Sequence, residues 1–293
     1  MSPSAQGVVA ALIAYVTWGL FPIYFKKIAA VAPTDVIAWR IVLCFVLLFV
    51  LFLVWQGPSK FIKQLKEINQ WWLLTSSAVL LSANWLVFVY AIKSNQVLQS
   101  SLGYFLVPII SVGLGILVFQ EKPNRFKVIA VIIASVGMVL TFVVAGVLPW
   151  ISLALGGTFG VYGMLRKKAN YDSAIGLFLE TAILIPLAFI YIVFWAEPIT
   201  SFDGQTQFWI SLLGVVTAVP LLTMIFAARR IELSNLGFYQ YITPCMHLLL
   251  AVVVYNESID MPRLIVLGTT LVAVGFWLIG SLPRFALNKA RAN

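Results

Sequence analysis

Arginine, glutamate and histidine inside long apolar runs are the residues of this chain that invite chemistry. An ionisable side chain within a membrane-spanning segment costs about 2.5–3.5 kcal/mol on insertion scales, so each asks for a reason. Three stand out: Arg40, Glu180 and His247. Arg40 lies six residues into its apolar segment. That is about 9 Å of helix rise below the outer surface. Its guanidinium suits an anion or carboxylate clamp at the outer end of a cavity, or it snorkels outward and caps neighbouring carbonyls. Glu180 lies at a similar distance from the cytoplasmic end of its own segment. It could bind a substrate amine, take up a proton when desolvated, or serve as a structural hydrogen-bonding carboxylate. His247, the single histidine, falls near the middle of a segment. A neutral imidazole there relays a proton, binds substrate or hydrogen-bonds a neighbouring helix.

Polar and aromatic residues extend the set. Asn84 is near a midplane, as interhelical glue or as a hydrogen bond to substrate. Trp18 and Trp85 lie away from the interfacial belt where Trp55, Trp71, Trp72, Trp150, Trp195 and Trp209 fit, and so suit a cavity that stacks planar or amphipathic molecules. Tyr104 and Phe105 precede Pro108, and Tyr239, Gln240 and Tyr241 precede Pro244. Such groups beside a proline suit a cavity wall on a bent helix, or plain packing. The candidate substrate-binding residues are therefore Trp18, Arg40, Asn84, Trp85, Tyr104, Glu180, Tyr239, Gln240 and His247. Enzyme chemistry finds no footing: there is no His-Glu-x-x-His, no Gly-x-Ser-x-Gly and no phosphate loop. Cys44 and Cys245 sit in apolar segments as small hydrophobes, and with one histidine they make no metal site; no cofactor is expected.

These residues must be positioned by helices in lipid. The 293 residues are 62% hydrophobic and 10% charged, far below the ~25% charge of a soluble domain. Apolar runs of about 20 residues recur, each enough to span a ~30 Å hydrocarbon core. The segments are Gly7–Phe25, Thr34–Trp55, Trp71–Ile92, Leu98–Phe119, Phe126–Val144, Val147–Leu165, Ser173–Trp195, Gln207–Ala228, Asn235–Tyr255 and Arg263–Leu282. The fold class is all-α: a polytopic membrane protein with ten transmembrane helices, the first retained rather than cleaved. Between Gln56 and Gln70, the residues Phe61, Ile62, Leu65 and Ile68 recur at helical spacing and predict a short interfacial helix.

The net charge of +9 does not point to nucleic acid, because the basic residues collect at helix ends and meet anionic lipid head groups. With the N-terminus cytoplasmic, Lys60, Lys63, Lys66, Lys122, Arg125, Lys127, Arg166, Lys167, Lys168, Arg229, Arg230, Arg284, Lys289 and Arg291 lie inside. Outside lie Lys26, Lys27, Lys93 and Arg263, a bias of 14 to 4 that sets both termini in the cytoplasm.

The chain also repeats. A shift of 136 residues lays Phe105 on Tyr241, Pro108 on Pro244, Phe119 on Tyr255 and Glu121 on Glu257. Near the start a shift of 141 lays Lys26 and Lys27 on Lys167 and Lys168, and a shift of 140 sets Arg40 on Glu180. Residues 1–145 and 146–285 thus read as two five-helix repeats, followed by a cytoplasmic tail at 286–293. Five is odd, so the repeats are inverted and the substrate site lies between them. Inversion separates Arg40 from Glu180 by about 10 Å in depth, which disfavours a direct ion pair between them. Glu121 and Glu257, matched in the two halves, each suit a bond to the start of the next helix. Gly156, Gly157, Gly160 and Gly163 offer a small face for close packing.

The stretch Ser101 to Pro108 (SLGYFLVP) resembles the fourth helix of the drug/metabolite transporter superfamily, and more narrowly the RarD-like branch of the EamA family. Tyr162 to Lys168, Glu180-Thr181, Gly237 to Pro244, Glu121 and Glu257 match as well, so the resemblance runs from Gly7 to Leu282. It implies ten helices in two EamA-type halves, a central cavity with alternating access, and a bacterial inner membrane. Distantly related small multidrug carriers place a proton-coupling acidic residue in their first helix; Gly7–Phe25 has none. The reading is a secondary, ATP-independent transporter of a small amphipathic organic solute, a monomer whose partners are substrate and lipid. The rivals are a membrane-embedded lipid-modifying enzyme and a non-transporting scaffold or sensor.

Overall fold

The computed structural model describes residues 2–94, 96–146, 149–256 and 260–281, with the backbone alone at Trp55, Gln56, Val97 and Leu98. Several sequence expectations lie outside the described residues: the Trp55 and Leu98 side chains, Val147, Glu257, Leu282, the basic residues Arg284, Lys289 and Arg291, and the tail 286–293.

All regular structure among these residues is helical: α1 (Pro3–Gly19), α2 (Phe21–Lys27), α3 (Pro33–Leu51), α4 (Gly57–Lys66), α5 (Trp71–Lys93), α6 (Val97–Phe119), α7 (Arg125–Ala145), α8 (Trp150–Lys168), α9 (Ser173–Phe194), α10 (Gly204–Ser211), α11 (Leu213–Ala228), α12 (Leu233–Gln240), α13 (Ile242–Val253) and α14 (Met261–Ser281). Eight stretches are long and apolar enough to cross a bilayer, or nine if α1 and α2 count as one bent span. The expected ten crossings are met to that extent. The helix falling short is α8, whose 19 residues include four glycines and the basic triplet Arg166, Lys167 and Lys168.

The surface is apolar where a soluble protein's is not. Leu117, Val143, Leu187 and Phe194 are each about 70% exposed, a pattern that suits lipid. Polar groups turn inward: Asp35, Ser77, Asn84, Arg166, Glu180 and Gln240 are buried. Helix starts are capped by side chains, Asn124 on α7, Asp172 on α9 and Asp203 on α10.

The first segment is not one straight helix, as expected over Gly7–Phe25, but bends by 40° around Leu20. Pro22 supplies the cause, since it has no N–H for the Trp18 carbonyl four residues back. The eighth and ninth segments are interrupted at Leu212 and Tyr241, yet each still runs as one span. The expected amphipathic helix is α4; it stacks Phe61 on Phe52 at 5.0 Å and sets it edge-on to Phe178 at 5.2 Å, so one face docks on protein. Of the glycine face on α8, Gly156 and Gly160 meet α6 closely, whereas Gly157 and Gly163 face open space.

The main pairings are α7 with α14, α6 with α8 and α12, α1 with α11 and α13, α3 with α9 and α11, and α5 with α8 and α9. They enclose the features below.

Candidate functional site

A cavity of about 540 Å³ opens between these helices. It runs from Trp18, Asn84 and Thr243 in the middle of the bundle to the helix ends at Pro33, Ile92 and Arg263. The wall is aromatic and aliphatic, with Trp18, Trp85, Phe88, Tyr104, Phe105 and Phe159 contributing rings. Of the nine residues singled out in the sequence, Trp18, Arg40, Asn84, Trp85, Tyr104, Gln240 and His247 line it together. Glu180 and Tyr239 do not.

Arg40 is held from two sides. Its Nε donates to Thr217 Oγ1 on α11 at 3.2 Å, and its guanidinium carbon lies 4.4 Å from the Trp85 ring centroid. No carboxylate approaches it within 4.0 Å among the described residues, and its terminal nitrogens have no hydrogen-bond partner there. Asn84 ties α5 to α8: its Nδ2 donates to the Leu155 carbonyl and to Thr158 Oγ1, both at 2.9 Å.

His247 answers the bend. Its Nε2 is 2.9 Å from the Trp18 carbonyl, the group that Pro22 deprives of its helical donor. A carbonyl only accepts, so Nε2 carries the proton and donates. This bond fastens α13 to the bent first segment. His247→Phe keeps the ring but removes the donor, and is expected to cost about 1 kcal/mol. An unchanged melting temperature in detergent would show that the bond is dispensable.

Glu180 sits in a separate, fully buried centre. Arg166 Nη1 is 3.3 Å from Glu180 Oε1, Tyr162 donates to Oε2 at 3.2 Å, and Ser77 donates to Oε1. Arg166 Nη2 also donates to the Ser173 carbonyl at 2.9 Å. Gly176 makes room, because a Cβ there would collide with the guanidinium. Arg166 is thus a correction: it counts among the loop charges in the sequence reading, yet its side chain is 1% exposed, inside the bundle. Tyr239 is half-buried against the main aliphatic core rather than in the cavity.

A third polar centre lies at the end of the bundle that the cavity does not reach. Glu121 Oε1 accepts from Leu233 N at 2.6 Å and Oε2 from Ser234 N at 2.9 Å. The carboxylate caps α12, not the adjacent α7 as the sequence reading expects. Gln120, at φ 54°, turns the chain so that Glu121 N reaches back to the Gly115 carbonyl. A Cβ on Gly115 would lie 2.5 Å from Glu121 Oε2, so only glycine leaves the seat open. Lys167 Nζ is 3.9 Å from Glu121 Oε1 and donates to the carbonyls of Ala228, at 2.9 Å, and Ile231. Together these residues clasp the ends of α6, α8, α11 and α12. Thr217, Arg166 and Lys167 are the partners that sequence reasoning missed.

Known proteins match this architecture and sequence. Residues 5–143 match the EamA-like transporter family. An uncharacterized transporter of Vibrio cholerae is 39% identical over 273 residues, covering 90% of each chain. Protein RarD of Escherichia coli is 36% identical over 281 residues, 94% of this chain and 95% of its own. A solved crystal structure at 16% identity superposes with a TM-score of 0.72 over 94% of this chain and 97% of that one, a likeness of fold alone. With its apolar helices and relatives matched over nearly their full length, this chain belongs to the EamA-like transporter family, in the RarD-like branch, as a multi-pass membrane protein.

Proposed function

We propose that the protein is a secondary transporter, independent of ATP, for a small amphipathic organic solute or metabolite. It works in the bacterial cytoplasmic membrane, as a monomer, by alternating access between two inverted five-helix halves, residues 1–145 and 146–285, with both termini cytoplasmic. One observation carries the reading: the cavity draws its wall from both halves, reaches one end of the bundle, and has the Glu121–Lys167 clasp across the other. In the proposed orientation the cavity faces outward and the clasp is cytoplasmic. Its substrate contacts are the seven cavity residues Trp18, Arg40, Asn84, Trp85, Tyr104, Gln240 and His247.

The helix pairing supports the inversion. Exchanging the halves turns α6 against α8 into α12 and α13 against α1, and α5 against α8 into α11 against α1. It turns α3 against α11 into α9 against α5, and leaves α7 with α14, α3 with α9 and α6 with α12 unchanged. Arg40 bonds α11 from α3, and Glu180 bonds α5 from α9, in line with that exchange. Lys167 near the Phe119 ring, at 5.3 Å, has its counterpart in Lys26 over the Tyr255 ring at 3.9 Å.

Flux in proteoliposomes tests the reading. Purified protein is expected to give saturable, ATP-independent movement of at least one solute from a broad amphipathic panel. Folded protein with no saturable flux across that panel would favour a scaffold or sensor instead.

A further inference from the structure

We infer that the transported solute is an anion: an amphipathic organic acid whose carboxylate pairs with Arg40 while its planar apolar body lies along Trp85, Tyr104 and Trp18. The inference rests on reading the cavity as the transport site and adds the substrate class to it.

Four observations carry it. First, Arg40 lines the cavity with its terminal nitrogens unpartnered among the described residues, having spent only Nε on Thr217. A guanidinium presents two parallel donors that match a carboxylate in geometry and charge. Second, no aspartate or glutamate lines the cavity among the described residues. The charge of Arg40 has no counter-ion among the described residues of the wall, and a partly buried guanidinium draws in a group that neutralises it. Third, Glu180, the residue that could have received a substrate ammonium, is occupied by Arg166, Tyr162 and Ser77 away from the cavity. A zwitterion therefore finds a partner for one end only, and an amine is repelled. Fourth, the other guanidinium among the described wall residues, Arg263, stands at the mouth with Nη1 3.6 Å from Asp260, so Arg40 is the inner one. The Trp85 face that carries the guanidinium continues into a wall of rings broad enough for an aromatic body.

A matched series sharing one ring isolates the charge: indole-3-acetate, its neutral amide, tryptamine and tryptophan. Binding to purified protein in nanodiscs is measured by thermal stabilisation over a concentration series. Indole-3-acetate is expected to bind about 10–100-fold more tightly than the amide, as a charge-assisted bidentate contact implies. Tryptamine is expected to bind weakest. Arg40→Gln should bring the acid down to the level of the amide and leave the amide unchanged, while Arg40→Lys keeps part of the preference. Should Arg40→Gln fail to fold, Thr217→Val supplies the test: it frees Nε and should weaken the acid several-fold more than the amide. Equal binding of acid and amide, tighter binding of the amine, or a preference that survives in Arg40→Gln overturns the anion assignment and leaves the transport reading standing. Binding by none of the four, with no flux of any panel member, overturns both.

Discussion

Replacing Glu180 by leucine is expected to lower the unfolding free energy by about 3–5 kcal/mol, because it strands a buried guanidinium without its counter-charge. The geometry leaves Arg166 no alternative: its side chain is 1% exposed, its carboxylate partner is 3.3 Å away, and Gly176 presses on its other side. Arg166→Leu should cost a similar amount. Removing both together should cost much less than the sum, since apolar side chains of similar volume often replace a buried pair with little loss. Denaturant titration of the four proteins in detergent measures the cycle. Additive losses would mean that the two charges do not stabilise one another, and the pair would have to be read as two independent buried ions.

The second large effect concerns the clasp. Glu121→Ala removes two charge-assisted bonds to the N-terminus of α12 and the partner of Lys167. Losing a cap of this kind costs about 2 kcal/mol, and that difference moves a two-state equilibrium about 30-fold. In the proposed cycle the shift favours the state open to the cytoplasm. A cysteine in place of Leu236, in a protein lacking Cys44 and Cys245, reports it through the rate of maleimide labelling. Labelling is expected to accelerate in Glu121→Ala, and flux to fall. An unchanged rate would show that the clasp does not hold the cytoplasmic side shut.

The parts of this architecture that depend on local sequence were the ones that could be read from it. An apolar run of about 20 residues is a local property, and the spans follow it closely: Trp71–Ile92 in the sequence reading is Trp71–Lys93 in the structure. Arg40, Asn84 and His247 could be singled out because a polar group in an apolar run is conspicuous. The identity of their partners was not legible. Arg40 meets Thr217, 177 residues away, and Glu121 caps a helix start 112 residues on, so only the tertiary pairing of helices reveals either. Arg166 misled for a different reason. A basic triplet at a helix end reads as a topology signal, and nothing local says that Arg166 turns into the bundle, Lys167 clasps the neighbouring helix ends and only Lys168 stays exposed. The bend at Leu20 did have a signal in Pro22. It lay in the missing hydrogen bond at Trp18 rather than in hydropathy, which stays high through the break.

The Arg166–Glu180 pair also bears on how the chain enters the bilayer. Helix α8 is the least apolar of the long helices, diluted by four glycines and ending in three positive charges. An arginine that enters lipid without a counter-charge adds to the cost of insertion, less near a helix end than at its centre. Glu180, on the very next helix, supplies the neutralising charge across a turn spanning only residues 169–172. Placing α8 in lipid together with the strongly apolar α9 therefore costs less than placing α8 there alone. The helix that carries Arg166 thus depends on the one that follows it for its counter-charge.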